Sequence, residues 1–214
     1  MNTVSSSEEL QTLTAYEQIA VEWAKRRSDR EWWRSKFDYF KTLAPKGWIV
    51  DIGCGVGKDA SLFTTPDNMY HYIGIDISPA MLALTKQYAP GQTIFMQMDM
   101  HMLGFQSASF DGFWAAASLL HIPKSRVASA LAEIRRVVKP GSAGFIALKE
   151  GNTEEIVIKN LHGDNRFYAF YRPEVFRCVL EYNGFAVVRM GRDLRAYDSN
   201  DPHSVWLFYF VRAV

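Results

Sequence analysis

The amino-acid sequence predicts an α/β fold built on a doubly wound, mostly parallel β-sheet with helices on both faces. Two observations lead to this prediction: after Gly47, short apolar runs alternate with helical segments, and a glycine-rich turn follows the first of these runs. Strands that alternate with helices favour a parallel sheet with right-handed crossovers. We therefore expect the carboxyl ends of the strands to meet at one edge, where open α/β sheets bind ligands.

Before Gly47, apolar residues at helical spacing predict a helical cap over about residues 7–43. Two groups of residues carry this spacing, first Tyr16, Ile19, Ala20 and Trp23, and then Trp32, Trp33, Phe37 and Phe40. The basic residues of the segment are interpreted as a solvated face, with contact to an acidic substrate as the alternative. These residues are Lys25, Arg26, Arg27, Arg30 and Arg34.

After Gly47, five strands are predicted at residues 48–52, 69–75, 93–98, 110–117 and 143–148. Helices are predicted at residues 58–63, 78–88 and 124–138, and a further one at residues 173–182. Residues 150–171 are expected to be rich in loops. Two successive strands at residues 185–190 and 205–211, with no helix between them, predict an antiparallel pair at one edge of the sheet.

Composition restricts the class of protein. The chain has 214 residues, of which 48% are hydrophobic, as expected of a globular domain. It carries 24 basic and 23 acidic residues, and the net charge of +1 disfavours nucleic acid as a partner. Two isolated cysteines predict free thiols and no metal site. The polar N-terminus and the lack of any apolar run of about 18 residues predict a cytoplasmic protein that does not span a membrane. We expect it to be a monomer or a homodimer.

Residues 51–59 read Asp-Ile-Gly-Cys-Gly-Val-Gly-Lys-Asp, a glycine-rich turn that admits a ligand close to the backbone. The dinucleotide fingerprint Gly-x-Gly-x-x-Gly fits at Gly53 and Gly55 and fails at Lys58. Asp51 would repel a pyrophosphate and attract a ligand with ammonium and sulfonium groups. S-adenosylmethionine carries both groups and no phosphate, so the turn favours it. The alternative interpretation is that Asp51 only caps the turn.

Two more aspartates follow successive predicted strands. Asp76 comes about 20 residues after the glycine turn, where an acid accepts hydrogen bonds from both ribose hydroxyls. A solvent-exposed aspartate is the alternative. Ile77 is expected to pack on the adenine face. Asp99 is expected to accept a hydrogen bond from the adenine amino group, with the Met100 amide as a donor nearby.

Five motifs in residues 47–150 occur in a recognisable order. They read Asp-Ile-Gly-Cys-Gly-Val-Gly, Gly-Ile-Asp-Ile-Ser-Pro-Ala-Met-Leu, Met-Asp-Met, Phe-Asp-Gly-Phe-Trp-Ala and Leu-Ala-Glu-Ile-Arg-Arg-Val-Val-Lys-Pro-Gly. This series resembles class I (Rossmann-like) S-adenosylmethionine-dependent methyltransferases, in particular small stand-alone bacterial ones. The resemblance implies a seven-stranded sheet with an antiparallel last strand. It also implies a single domain over 1–214, with a cap (1–45), a cofactor-binding core (46–150) and a substrate loop with C-terminal strands (151–214).

The resemblance and the motifs together assign roles to particular residues. Those expected to bind the cofactor are Tyr16, Asp51, Gly53, Cys54, Gly55, Asp76, Ile77, Met81, Asp99, Met100 and Ala115. For Tyr16, a plain core role is the alternative. Trp114 and Ser118 are expected to bind the acceptor beneath the transferred methyl group.

Candidates for proton transfer follow the fourth and fifth predicted strands. His121 is the candidate general base because imidazole titrates near neutral pH, with a structural role as the alternative. Glu150 and Tyr168 are further catalytic candidates. Arg166 is expected to bind the substrate by pairing with a carboxylate, unless its loop is only a packed lid.

Together these features predict in-line transfer of a methyl group from S-adenosylmethionine to a small-molecule acceptor. An RNA or protein methyltransferase is one alternative, which the near-neutral charge disfavours. A cofactor-binding protein without activity is another. A nicotinamide-dependent oxidoreductase is disfavoured by Asp51 and by the glycine spacing.

Overall fold

A computed structural model describes residues 5–26, 31–65, 69–89, 91, 93–158, 165–194 and 204–214. Its strands, in chain order, are β1 (Lys46–Ile52), β2 (Met69–Asp76), β3 (Ile94–Gln97), β4 (Phe110–Ala116), β5 (Val138–Lys149), β6 (Glu154–Ile158), β7 (Asn165–Ala169), β8 (Phe185–Leu194) and β9 (Val205–Ala213). Its helices are α1 (Ser7–Arg26), α2 (Glu31–Leu43), α3 (Ala60–Phe63), α4 (Pro79–Ala83), α5 (Thr85–Tyr88), α6 (Val127–Val137) and α7 (Pro173–Tyr182). A 3₁₀ turn spans Leu119–His121.

The main sheet has seven strands in the order β3-β2-β1-β4-β5-β9-β8. Neighbours from β3 to β5 pair in parallel, whereas β9 runs antiparallel to both β5 and β8. The predicted seven-stranded, mostly parallel sheet with an antiparallel last strand is confirmed. The chain places β2 and β3 on one side of β1 and then returns to place β4 on the other. Such a switch point opens a crevice at the carboxyl ends of the strands.

The central strands are buried on both faces, which explains their nearly continuous apolar sequences. Ile49 and Val50 of β1, for example, are both fully buried. The amphipathic helix α6 buries Val127, Leu131 and Ile134 and contacts β5, as its helical spacing predicts. Burial of these apolar faces holds the sheet rigid and so fixes the position of the residues at its carboxyl edge.

The helix α1 packs outside the main core, over the glycine turn and α4. Its Ala20 and Ala24 bury against Val56 of the turn and Met81 of α4. The predicted N-terminal cap therefore lies against the ligand-binding edge of the sheet.

The predicted solvated face of this cap is described in part. Lys25 and Arg34 are exposed, in agreement with the prediction. Arg27, Arg30 and the side chain of Arg26 lie outside the described residues. Over the described ranges, no helix is both long and apolar enough to cross a membrane.

The largest difference from the prediction lies in residues 150–171, which were expected to form loops. The structure instead contains an antiparallel pair, β6 and β7, in a sheet of its own. Phe167, Tyr168 and Ala169 of β7 are buried, and β7 contacts α1 and the 3₁₀ turn. A two-stranded sheet is marginal by itself, so these tertiary contacts rather than local sequence pattern decide its formation.

Two further boundaries differ. The predicted helix at residues 78–88 divides at Leu84 into α4 and α5. The fifth strand begins at Val138 rather than near Ala143, and its pairing with β4 shifts register beside Pro140 and Gly141. Proline has no amide hydrogen and therefore interrupts the hydrogen bonds between neighbouring strands. The sequence for this reason indicates a break at Pro140, although the chain there continues in an extended conformation.

Candidate active site

A cavity of about 570 Å³ lies at the carboxyl ends of the parallel strands, lined also by residues of α1, α2, β7 and β9. Its volume falls within the range of about 300–1,000 Å³ that is usual for small-molecule sites. The predicted site residues that line it are Tyr16, Asp51, Gly53, Cys54, Gly55, Asp76, Ile77, Met81, Asp99, Met100, Ser118, His121, Arg166 and Tyr168. Residues that are far apart in the chain thus meet in one crevice.

The glycine turn after β1 leaves bare backbone facing this cavity. Gly53 and Gly55 have φ values of +73° and +57°, a region that favours glycine. A Cβ atom on Gly53 would lie 2.4 Å from Cβ of Ser118, so a side chain would not fit. The amides of Gly53 and Cys54 both donate to the Ile75 carbonyl, at 2.8 and 2.9 Å, and hold the turn against the end of β2.

Asp76, at the end of β2, is bound by the same turn. One carboxylate oxygen accepts from the Gly55 amide at 2.8 Å and the other from the Ser78 amide at 2.9 Å. Burial raises the pKa of Asp76, and these backbone N–H groups oppose that shift. Because a carboxylate offers about four lone-pair sites, Asp76 retains acceptor capacity for the hydroxyl groups of a ligand.

Asp51 and Asp59 add two more carboxylates to this wall. Asp51 is 2% exposed and accepts a hydrogen bond of 2.5 Å from the Tyr72 hydroxyl. Burial raises the pKa of Tyr72, and the charge of Asp51 raises it further, so Tyr72 remains a donor. Asp59 accepts from Nε1 of Trp114 at 3.0 Å.

Asp99 completes the row and connects it to α1. Its Oδ1 accepts from the His101 amide at 2.8 Å, and Nε2 of His101 lies 2.6 Å from the carboxylate of Glu9 on α1. The Met98 amide donates to the Asp76 carbonyl at 3.0 Å, which ties the ends of β2 and β3 together. We call the wall formed by Asp51, Asp59, Asp76, Asp99 and the glycine turn the acidic half of the cavity.

Lys58 is the cation in this half. It is buried, and its ammonium contacts the Ala24 carbonyl of α1. The ammonium also lies over the rings of Trp23 and Tyr88, at 5.4 and 5.2 Å from the centroids. Lys58 therefore joins the glycine turn to the α1 cap.

A second set of lining residues differs in chemistry, and we call it the aromatic half. Its side chains are Trp33, Lys149, Arg166, Tyr168 and Trp206. The Trp33 and Trp206 rings are 6.0 Å apart at 88°, and the Lys149 ammonium lies 5.6 Å from the Trp206 centroid. This wall combines large apolar rings with two buried cationic groups.

A chain of hydrogen bonds begins at Arg166 of the aromatic half. Nη1 of Arg166 donates to the Tyr16 hydroxyl oxygen at 2.8 Å, and that oxygen lies 2.9 Å from Nε2 of His121. Nδ1 of His121 lies 2.7 Å from the Phe167 carbonyl. Since a carbonyl oxygen only accepts, Nδ1 carries a proton. When the ring is neutral, Nε2 therefore accepts from the Tyr16 hydroxyl.

Ser118 lies where this chain approaches the glycine turn. It precedes the 3₁₀ turn that ends at His121, and it is 6% exposed in the cavity wall. Its hydroxyl has no hydrogen-bond partner within the part of the chain that the structure describes. A buried polar group of this kind indicates a ligand that supplies the missing partner.

Comparison with known proteins decides the family. Residues 50–146 match the family model of the methyltransferase domain. Residues 50–146 therefore belong to the methyltransferase domain family. An O-methyltransferase (rstn1) of Aspergillus nomiae is 33% identical to it over 148 residues, 65% of this chain and 64% of that protein. An O-methyltransferase of Pyrenophora dematioidea is 30% identical over 153 residues, 68% of this chain and 56% of that protein. The methyltransferase thus spans less than two thirds of the length of these relatives.

A solved structure shares the complete fold. The 1,6-didemethyltoxoflavin N1-methyltransferase of Burkholderia thailandensis, solved with 1,6-didemethyltoxoflavin and S-adenosylhomocysteine, matches with a TM-score of 0.75 and 16% identity. The match covers 100% of this methyltransferase and 93% of that chain. The predicted family and its cofactor, S-adenosylmethionine, are confirmed.

The acidic half fits this cofactor. Four carboxylates line it, the glycine turn exposes bare backbone, and the Ser118 hydroxyl is open to a partner. Such a donor and acceptor set suits a ligand with positive charge and hydroxyl groups and no phosphate. The roles of individual residues in the methyltransferase stay predictions.

Three predicted site residues lie outside the cavity wall. Trp114 and Ala115 are fully buried within β4, and the cavity is reached only from Ala116 onward. The chain reaches the edge of the sheet at Ala116, two residues later than Trp114, where the motif predicts it. The Glu150 amide donates to the Val205 carbonyl of β9, and its carboxylate accepts from Arg192 of β8 at 2.5 Å. The carboxylate is therefore bound at the edge of the sheet and does not line the cavity. The placement of these residues does not support their predicted roles.

Sequence reasoning missed Asp59, Lys149 and the pair formed by Trp33 and Trp206. Asp59 carries a recognisable signal, because it follows the glycine turn directly. Lys149 also carries one, since it ends a strand at the ligand-binding edge. The two tryptophans, which belong to α2 and β9, approach each other only in the folded protein.

Proposed function

We propose that this methyltransferase transfers the methyl group of S-adenosylmethionine to a hydroxyl oxygen of a small molecule bound in the aromatic half. The observation that carries the proposal is a single cavity lined by the acidic half, the aromatic half and the Tyr16–His121 pair. Its volume of about 570 Å³ suits small molecules rather than a polymer. The two O-methyltransferase relatives support an oxygen as the acceptor atom.

The acidic half holds the cofactor in this proposal. Asp76 accepts hydrogen bonds from the ribose hydroxyls with the lone pairs that Gly55 and Ser78 leave free. Asp99 and the Met100 amide bind the adenine edge, and Asp51 attracts the positively charged methionine end. Bound S-adenosylmethionine supplies an electrophilic methyl group, whose transfer leaves the bonding electron pair on sulfur and an ether on the acceptor.

The Tyr16–His121 pair removes the acceptor proton. In the neutral ring, Nε2 of His121 accepts from the Tyr16 hydroxyl, which lies 2.9 Å away and occupies it. The proton therefore passes from the acceptor hydroxyl to the Tyr16 oxygen, while the Tyr16 proton passes to Nε2 of His121. The Phe167 carbonyl holds the other ring nitrogen in its protonated form, and Arg166 stabilises negative charge on the Tyr16 oxygen through its hydrogen bond. The imidazolium then returns its proton to solvent.

Proximity supplies most of the remaining rate enhancement. Methyl transfer in line requires only that the acceptor oxygen be held against the methyl group, and positioning of this kind is worth about 7–11 kcal/mol. Ser118, between the glycine turn and the 3₁₀ turn, is placed to orient the acceptor oxygen.

The test has two arms. Calorimetry should detect binding of S-adenosylhomocysteine and none of NADH; the reverse result would remove the cofactor assignment. Methyl-labelled S-adenosylmethionine should then label small phenols and catechols but neither RNA nor protein. Binding without transfer to any hydroxylated acceptor would instead support a cofactor-binding protein that lacks activity.

A further inference from the structure

Ala117, directly after β4, has a backbone conformation that is strained for any residue with a side chain. Its φ value is +63°, and among the non-glycine residues that the structure describes, only Ala108 shares the positive sign. In the left-handed region the Cβ atom of an L-residue crowds the neighbouring carbonyl oxygen, which costs free energy. Strained residues of this kind cluster at functional sites, and Ala117 lines the cavity.

Hydrogen bonds on both sides of Ala117 impose this conformation. The Ala117 amide donates to the Ala147 carbonyl at 3.0 Å and so continues the pairing of β4 with β5. One residue later, the Ser118 carbonyl accepts from the His121 amide at 3.0 Å and begins the 3₁₀ turn. Ser118 itself has φ −112° and ψ −52°, in the right-handed region. The left-handed step between strand and turn is therefore confined to Ala117.

This step places the Ser118 side chain against the glycine turn. Its Oγ would lie 3.3 Å from a Cβ atom on Gly53, and it lines the cavity without a hydrogen-bond partner among the described residues. Three residues further on, the turn ends at His121, whose Nε2 lies 2.9 Å from the Tyr16 hydroxyl. The orientation of both Ser118 and His121 therefore depends on the conformation of Ala117.

An alanine at position 117 restricts the backbone more than a glycine would. The left-handed region that is open to an L-residue is small, about +50° to +70° in φ and about +30° to +60° in ψ. Glycine has no Cβ atom and populates a much wider range of conformations with positive φ. Alanine thus makes the folded protein less stable than glycine would, but it fixes the direction in which the chain leaves β4.

We propose that Ala117 is a positioning residue, whose strained conformation holds Ser118 and His121 in the orientation that methyl transfer requires. The inference rests on the proposed function in assigning these two residues to the acceptor. If the strain served packing alone, its removal would leave turnover unchanged. In a positioning role its removal lowers turnover, because a displacement of about 1 Å in an active site can cost about 10²-fold in rate.

The test compares two glycine variants. Ala117→Gly and Ala108→Gly each remove a Cβ atom at positive φ, and Ala108 lies in an exposed turn outside the cavity wall. Both variants should unfold at a higher temperature than the wild type, because glycine adopts this conformation without strain. Only Ala117→Gly should lower turnover, by about tenfold, measured with the phenol or catechol that the wild-type protein labels best. Full turnover in Ala117→Gly, or an equal loss in both variants, would overturn the inference.

A rescue variant and hydrogen exchange separate this inference from the proposed function. Ala117→Ser keeps the Cβ atom and should retain the wild-type turnover. In the presence of S-adenosylhomocysteine, NMR should show that the His121 amide exchanges several-fold faster in Ala117→Gly than in the wild type, and at the wild-type rate in Ala108→Gly. Unchanged exchange in Ala117→Gly would overturn the inference whether or not an acceptor is found. A wild-type protein that methylates no hydroxylated acceptor would contradict the proposed function instead.

Discussion

The acidic and aromatic halves of the cavity are built in different ways. The acidic half comes from short motifs at the ends of β1, β2 and β3, and much of it is backbone held by turns. The aromatic half combines side chains of α2, β5, β7 and β9, which are far apart in the chain. The residues predicted to bind the cofactor therefore belong to short contiguous motifs. Those proposed to bind the acceptor come from distant segments of the chain. The predictions below separate these two halves experimentally.

The largest expected effect is on turnover, at the junction of the two halves. His121→Ala should lower turnover by about 10²–10⁴-fold, the usual contribution of a general base. Affinity for S-adenosylhomocysteine should remain nearly intact, because His121 contacts Tyr16 and Phe167 rather than the glycine turn. The measurement is a steady-state assay with labelled cofactor, alongside calorimetry.

Tyr16→Phe provides the matched variant, since it removes the hydroxyl and keeps the ring beneath Arg166. Because Tyr16 and His121 act as one unit, the double variant should be scarcely slower than either single one. Additive losses, or an unchanged rate in His121→Ala, would remove the pair from the mechanism.

The next effect lies within the acidic half. Asp76→Ala should weaken S-adenosylhomocysteine binding by about 1–3 kcal/mol, because charged hydrogen bonds to the ligand are lost. Asp111→Ala is the control: this carboxylate lies at the amino end of β4, where it pairs with Lys139 at 2.5 Å. Calorimetry should show weaker binding in the first variant alone. Equal affinity in both variants would count against the site assignment.

A smaller effect concerns the attachment of α1 to the acidic half. Burial works against the charge of Glu9, but hydrogen bonds from His101 and the Ser6 amide, and the charge of Arg126, hold the pKa of Glu9 below its ordinary value of 4.5. A group whose pKa falls on folding stabilises the folded state when ionised. This contribution is present above about pH 4.5 and is lost as the pH falls through the folded-state pKa of Glu9.

Glu9→Gln should therefore reduce the free energy of unfolding by about 1–2 kcal/mol at neutral pH and by less at pH 3. Urea unfolding of both proteins at several pH values measures this difference. If the difference in the free energy of unfolding stays constant between pH 3 and 7, the charge of Glu9 does not stabilise the attachment of α1.

The smallest expected effect is a difference in reactivity between the two cysteine thiols. Burial raises the pKa of the Cys54 thiol, and the charges of Asp76 and Asp51 raise it further, so the reactive thiolate is suppressed. Cys178 is exposed on α7. Iodoacetamide at pH 8 should label Cys178 first, as mass spectrometry would reveal. Comparable labelling of Cys54 in the folded protein would contradict the raised pKa of its thiol.

The parts of the site that could be predicted are those whose conformation or position is fixed by a short stretch of sequence. The glycine turn requires residues that tolerate positive φ, and this requirement is visible at Gly53 and Gly55. Asp76 follows a strand directly, and strand ends in a parallel sheet share one edge. The predicted site residues that lie outside the cavity wall have a different origin. Trp114 and Ala115 belong to a recognised motif, but whether a residue at a strand end faces the cavity or the core depends on where the strand reaches the edge.

The sequence by itself determined the α/β class and the mostly parallel sheet with its antiparallel last strand, and the motifs of residues 51–99 predicted the cofactor. These features follow from periodicity, turn stereochemistry and charge, which act over a few residues. Tertiary structure alone decided the β6–β7 pair, the Tyr16–His121 contact and the meeting of Lys149 with Arg166 in one cavity. Contacts between distant segments depend on the packing of the whole chain, and no local pattern of residues records them.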